Sequence, residues 1–200
     1  MNTTPATILT NGSTTTVSNR FLTVREDGVT FPNGANGTYN VVTSGNGLGT
    51  ATLPVHLDAD GRWQVALVGQ HRYPLDRIMH EIPRGGASEL THDEAARELN
   101  EETGLSNLPL IFLGHLTPDS GLLNTTVATY AVVTDGPVEL TSEPGCTTQW
   151  VAWADYISQV RSGAVLADTF TLSAMALWMS SPEAIKMVTD RAIRAALKAV

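Results

Sequence analysis

The segment from Thr91 to Gly104 constrains this chain more than any other, because it specifies a helix together with both of its ends. Thr91 and Glu94 form a capping box, and Gly104 stands where a left-handed residue closes a helix. The spacing predicts a helix from Asp93 to about Thr103. At ~100° per residue, Glu94, Glu98, Glu101 and Glu102 fall within roughly a third of its circumference. Ala95, Ala96, Leu99 and Thr103 take the opposite side, where a sheet can cover them. Like charges at these spacings cost a helix about 0.2–0.5 kcal/mol per pair, and only Arg97 offsets them locally. Taken alone, the stripe fits a solvated acidic face. It also fits a seat for a hard divalent cation, since Mg²⁺ takes carboxylate oxygens, often a carbonyl, and retains waters.

The rest of the chain reads as strands with further helices. Its 200 residues, 42% of them hydrophobic, suit one domain with an added arm. The Thr-, Ser- and Asn-rich start, up to about Thr16, is expected as a loose arm or an edge strand. Arg20–Val24 and Tyr39–Val42 are β-prone. Ala51–Leu57 and Trp63–Leu67 flank the hairpin turn Asp58-Ala59-Asp60-Gly61, and a loop carrying Pro74 and Pro83 follows. Leu110–Leu116, Val127–Val133 and Trp150–Trp153 read as strands. Asp155–Arg161, closed by Gly163, and Thr169–Met179 read as helices. A last helix has Ser181 as N-cap and Pro182 at its first position, with Ile185, Val188, Ala192, Ile193, Ala196, Leu197 and Val200 at helical spacing. The fold class is α+β, a mixed sheet with helices packed on it.

Charge and composition exclude several roles. A net charge of −8 and no basic patch argue against nucleic acid or an anionic membrane as partner. Cys146 is the lone cysteine, which rules out an internal disulfide and fits a reducing cytoplasm. The first residues, MNTTPATILT, do not read as a signal peptide, and no apolar stretch is long enough to span a bilayer. His56, His71, His80, His92 and His115 show no paired ligand spacing, so zinc is not expected. Trp150 and Trp153 read as core or interface residues.

The residues around the acidic helix resemble the Nudix hydrolase signature. Glu89 is followed by a seven-residue spacer and then by Arg97, Glu98, Leu99, Glu101, Glu102, Gly104 and Leu105. The family usually places five residues between its glycine and the first glutamate, whereas three separate Gly85 from Glu89 here. The resemblance implies an α/β/α sandwich with a Mg²⁺ or Mn²⁺ cofactor. It implies Glu98 and Glu102 as principal metal ligands, with Glu101 assisting or acting as base. The backbone carbonyl of Arg84, next to Gly85, would be a further ligand, and Glu89 a ligand or a support for one. Arg97 would orient a glutamate, Glu101 first among them.

Other segments resemble the ADP-ribose pyrophosphatase branch. They are Gln70-His71-Arg72-Tyr73, Glu81-Ile82-Pro83, the loop Leu116–Gly121, and Gly163–Thr171 with its Asp168 and Thr171. Arg72 is the first expected substrate-binding residue, because a guanidinium matches a phosphate fork, and Arg84 and Gly85 are the others expected to bind substrate. That branch often carries a glutamate soon after the Leu116–Gly121 loop. Here Leu122–Thr126 has no acid, so either Asp119, the nearest carboxylate, or Glu139 or Glu143 further along substitutes as catalytic base, or a helix glutamate is the base, or catalysis is altered. The resemblance implies metal-dependent hydrolysis of a nucleoside diphosphate derivative, ADP-ribose or an ADP-sugar first, to a nucleoside monophosphate and a sugar phosphate. Alternatives are a nucleoside triphosphate or dinucleotide hydrolase, or a non-catalytic module that senses a nucleotide sugar. It also implies a homodimer, in which residues 1–48 form a dimerisation arm beside a hydrolase domain over 49–200.

Overall fold

The β-prone stretches on either side of Asn33–Gly37 pair with the Thr-rich start in one antiparallel sheet. This computed structural model describes residues 6–198, with side chains as far as 193. The expectations for residues 1–5 and for the side chains of Ala196, Leu197 and Val200 lie outside the described residues. Strands β1 (Leu9–Ser18), β2 (Leu22–Thr30) and β3 (Asn36–Ser44) lie in the order β1-β2-β3. The segment Leu9–Ser18 is therefore an edge strand among the described residues, exposed along its whole length. Its threonines suit extended backbone. Strand β2 runs further than its apolar start suggests, because Asp27 is buried within it and receives hydrogen bonds from Ser13 Oγ and Arg25 Nε.

The chain divides into two compact units. The first comprises the residues up to Leu48 together with Thr117–Thr126. The inserted loop adds to β3, where Val42 N–H donates to Leu122 O and Asn124 N–H donates to Val42 O, both at 2.9 Å. Gly47 makes the approach feasible. It has a φ of 82°, and a Cβ there would lie 2.6 Å from Asn124 O.

The second unit comprises Gly49–Leu116 and the chain from Val127 onward. Its strands are β4 (Leu48–Leu57), β5 (Trp63–Arg72), β6 (Arg77–Glu81), β7 (Arg84–Gly86), β8 (Leu110–Leu116), β9 (Thr126–Val133) and β10 (Thr147–Ala152). Their order is β10-β5-β4-β9-β8, with β6 on β5 and β7 on β4. The hairpin expected at Asp58–Gly61 pairs Val55 with Val65 and Leu57 with Trp63. Thr126 N–H donates to Gly47 O and Thr134 N–H donates to Val55 O. Strand β9 thus runs parallel to β4 in an otherwise antiparallel set, and the sheet is mixed as expected.

Two expectations are corrected. The segment with Pro74 and Pro83 is not one loop. It holds a 3-10 turn (Tyr73–Leu75) and strands β6 and β7, with each proline outside the strands, where no ladder N–H is needed. Trp153 does not end a strand but starts helix α2 (Trp153–Ser162).

Helix α1 (His92–Thr103) covers one face of the sheet, and α3 (Thr169–Met179) packs on the other, followed by α4 (Pro182–Lys198). Strand β9 shows both faces being used. Ala128 and Tyr130 pack with Ala95 of α1, and Val132 packs with Leu99. The alternate residues Val127 and Ala131 belong to the core that holds Ala174, Met175 and Trp178 of α3. A strand buried on both sides reads as a continuous apolar run, and each such Val or Leu side chain contributes about 1.5–3 kcal/mol. The α/β/α sandwich is therefore the observed architecture.

Candidate active site on the acidic helix

Helix α1 is fixed at both ends, and this sets the direction of its glutamates. Thr91 Oγ1 accepts from Glu94 N–H at 3.4 Å, and Gly104, at φ 76°, donates to Asn100 O at 2.8 Å. Only half of the expected capping box forms, because the Glu94 carboxylate turns to Ser88 Oγ and Arg97. Ala95, Leu99 and Thr103 are buried against the sheet, Glu98 and Glu102 are partly buried, and Glu101 is exposed.

Arg97 gathers that stripe. It donates to Glu94 at 2.8 Å, to Glu98 Oε1 at 2.7 Å, to Glu101 Oε2 at 2.8 Å and to Gly86 O at 3.3 Å. The bond to Glu101 is the one expected, and those to Glu94 and Glu98 are additional. These partners raise the Arg97 pKa.

Glu98 and Glu102, one turn apart, are partly buried under β7. Burial raises the Glu98 pKa against the pull of Arg97. Burial also pushes Glu102 up to about 7, opposed by the Arg84 N–H that donates to it at 2.9 Å and reinforced by the charges of Glu98 and Glu143. Strand β7 reaches this position by pairing with the start of β4, Gly85 beside Thr50 and Arg84 beside Ala51. Glu89 is exposed and enters none of these pairs among the described residues.

The arginines expected to bind phosphate meet at Glu81, a residue that sequence reasoning did not assign. Glu81 is buried at the end of β6 and forms ion pairs with both Arg72 and Arg84. The nearby helix α3 steadies this corner. Asp168 Oδ1 accepts from Phe170 N–H and Thr171 N–H, and Thr171 Oγ1 accepts from Ile82 N–H at 3.0 Å. The Arg84 guanidinium lies over the Phe170 ring, 5.3 Å from its centroid. The Asp168–Thr171 segment thus braces the turn between β6 and β7.

Asp119 lies in the other compact unit, where it closes its own turn. Its Oδ1 accepts from Gly121 N–H at 2.8 Å, and its carbonyl accepts from Leu123 N–H at 2.9 Å. Glu143 belongs to the same compact unit as the helix. Its loop is tied to the end of α1, where Thr141 N–H donates to Thr103 O at 2.9 Å, and its charge acts on both Glu98 and Glu102. No local pattern in the sequence marks this contact, which depends on the return of the chain after β9.

The donor set suits a hard cation, being oxygen-rich, partly buried and mutually repelling. Among the described residues no three acidic, His or Cys side chains are gathered around one point, and Arg97 and the Arg84 N–H bond to Glu98, Glu101 and Glu102. Two recesses, of about 620 Å³ beside His56 and Trp150 and about 590 Å³ beside Trp63 and Met179, contain none of the glutamates of α1. Among the described residues no helix is long and apolar enough to cross a membrane.

Residues 9–42 match the family model of the nucleoside diphosphate sugar hydrolase N-terminal domain. The fold is similar to that in the crystal structure of an ADP compounds hydrolase, with a TM-score of 0.68 and 18% identity over 89% of this chain and 97% of that one. No curated protein matches the chain by sequence. Residues 9–42 thus resemble the N-terminal domain of nucleoside diphosphate sugar hydrolases, and the chain as a whole shares its fold with an ADP compounds hydrolase.

Proposed function

We propose that this protein hydrolyses the diphosphate linkage of a nucleoside diphosphate derivative, with ADP-ribose or an ADP-sugar as leading substrate, and that it requires Mg²⁺ or Mn²⁺. The observation that carries this reading is the pair of partly buried carboxylates, Glu98 and Glu102, held against β7 with raised pKa values. Isolated buried carboxylates are costly, and a bound cation offsets that cost. Glu98 and Glu102 would hold the ion, with Glu101, the Arg84 carbonyl and Glu89 as further donors. A bound divalent ion neutralises diphosphate charge and acidifies water.

The chain's own residues supply the remaining parts. Arg97 orients Glu101 and Glu98. Arg72 and Arg84 bind phosphoryl oxygens, and Gly85 leaves room for the Glu98 carboxylate beside them. Glu143 or Glu101 takes the proton of the attacking water in preference to Asp119, whose carboxylate caps a turn. The products would be a nucleoside monophosphate and a sugar phosphate. The N-terminal match at residues 9–42 supports the nucleotide-sugar class. We place the protein in the cytoplasm and read it as a homodimer joined through its N-terminal strands.

The test is a panel of nucleoside diphosphate derivatives and nucleoside triphosphates, incubated with Mg²⁺ and with Mn²⁺, with products identified by mass. ADP-ribose should be cleaved faster than any triphosphate. Turnover unaffected by excess chelator, or no cleavage of any diphosphate derivative, would overturn the reading.

A further inference from the structure

Glu81 is a buried carboxylate, its side chain 3% exposed, with two arginines upon it. Arg72 comes from the end of β5, and Arg84 from the start of β7. Arg72 reaches back along its strand to do this, since the register partner of Glu81 on β5 is Val68 and that of Arg72 is Arg77. Nε and Nη2 of Arg72 and Nη2 of Arg84 all turn to Glu81. The Arg84 Nε is buried and meets no acceptor among the described residues, so Glu81 is the acceptor that orients this guanidinium. Phe170 supports it from the side. Both arginines keep their side chains about 30% exposed. Both also bear on Glu102, Arg84 through its backbone N–H and Arg72 through its charge.

One carboxylate thus compensates only one of two cationic charges brought together beside the acidic helix. The remaining positive charge is spread over two rigid forks. A single fork suits one phosphoryl group; two forks fixed side by side suit two adjacent ones. We infer that Glu81 is a positioning residue. It holds Arg72 and Arg84 as a paired seat for the two phosphoryl groups of a diphosphate, and so selects diphosphates over monophosphates. This rests on the proposed function for the identity of the substrate, but the pairing also makes a claim about binding alone.

The test uses the full chain with Mg²⁺ present. Glu81→Gln should raise KM for an ADP-sugar about tenfold or more, the scale of a lost charge-assisted hydrogen bond, with kcat changed by less than about threefold. In calorimetry it should weaken ADP binding about tenfold while changing AMP binding by less than about threefold. Arg72→Lys keeps the charge and leaves Glu81 in place, but lacks the fork. It should show the same ADP-against-AMP split if the Glu81 variant does not fold. Adding Glu81→Gln to Arg72→Lys should cost less than the sum of the two, because Glu81 acts through the arginines. Equal weakening of ADP and AMP, no weakening of either, additive losses, or a wild type that binds neither nucleotide would each overturn the inference. A wild type that binds ADP yet cleaves no derivative would overturn the hydrolase reading alone, and the ADP-against-AMP comparison would still decide this one.

Discussion

Gly85 lies against the carboxylate of Glu98 with no space for a side chain. A Cβ at this position would fall 2.1 Å from Glu98 Oε2 and 2.3 Å from its Cδ. The contact explains why a glycine precedes the acidic helix in the chain and sits over it in the fold. Gly85→Ala should displace the Glu98 carboxylate, which can move because it is the end of a flexible side chain. The variant should remain folded by circular dichroism and lose about tenfold or more in metal-dependent turnover. Unchanged turnover would show that the position of Glu98 does not matter.

Glu102 should govern how stability responds to pH. Burial raises its pKa from an ordinary 4.5 to about 7 in the folded chain. Between those values the unfolded chain releases a proton that the folded chain keeps. The stability contributed by this group is therefore fully present below about 4.5 and lost as pH rises through about 7. Melting temperatures of metal-free wild type and Glu102→Gln, measured from pH 5 to pH 8, should diverge in that window. Wild type should fall further, and Glu102→Gln should be at least as stable at pH 8. Parallel curves would contradict the buried setting of Glu102.

The same proton must leave before a cation binds. Calorimetric Mg²⁺ affinity should rise by up to about tenfold per pH unit below about 7 and level off above it. In Glu102→Gln the affinity should be low and nearly flat over this range. A wild-type affinity independent of pH would separate Glu102 from the metal.

Much of this site was legible in the sequence, and the legible parts share a cause. Thr91, the acidic stripe and Gly104 act within one helix, where local spacing decides position. The hairpin at Asp58–Gly61 and the caps Asp168 and Ser181 are local in the same way. The features that were missed depend on contacts across the sheet. Strands β6 and β7 are short and lie on either side of Pro83, so the segment lacked a pattern to read. Glu81 gains its meaning from Arg72 and Arg84, which converge on it only after β6 pairs with β5 and β7 with β4. Glu143 approaches Glu102 because Thr141 bonds to the last residue of α1, a contact between residues 38 apart, 141 against 103.

That contact makes Glu143 and Asp119 separable by experiment. Asp119→Asn keeps an acceptor for Gly121 N–H and should hold kcat within about threefold. Glu143→Gln should lower kcat about tenfold or more if its carboxylate takes a proton. The opposite ranking would assign the base to the loop at Asp119.

The N-terminal sheet calls for a measurement of mass. Strand β1 is an exposed edge that presents a free ladder to another chain. In solution the full-length protein should run at twice the chain mass of 21.3 kDa by light scattering. A monomer at micromolar concentration would contradict the dimer.

The proposed activity requires Glu98 and Glu102 as the carboxylates through which a divalent ion supports diphosphate cleavage. Its most direct test is turnover of ADP-ribose with Mg²⁺ by wild type, Glu98→Gln and Glu102→Gln, with AMP and ribose phosphate identified by mass. The expected result is release of both products by wild type, a loss of about a hundredfold or more in each variant, and folded protein in all three. Comparable turnover in the variants, or full wild-type turnover in excess chelator, would contradict it.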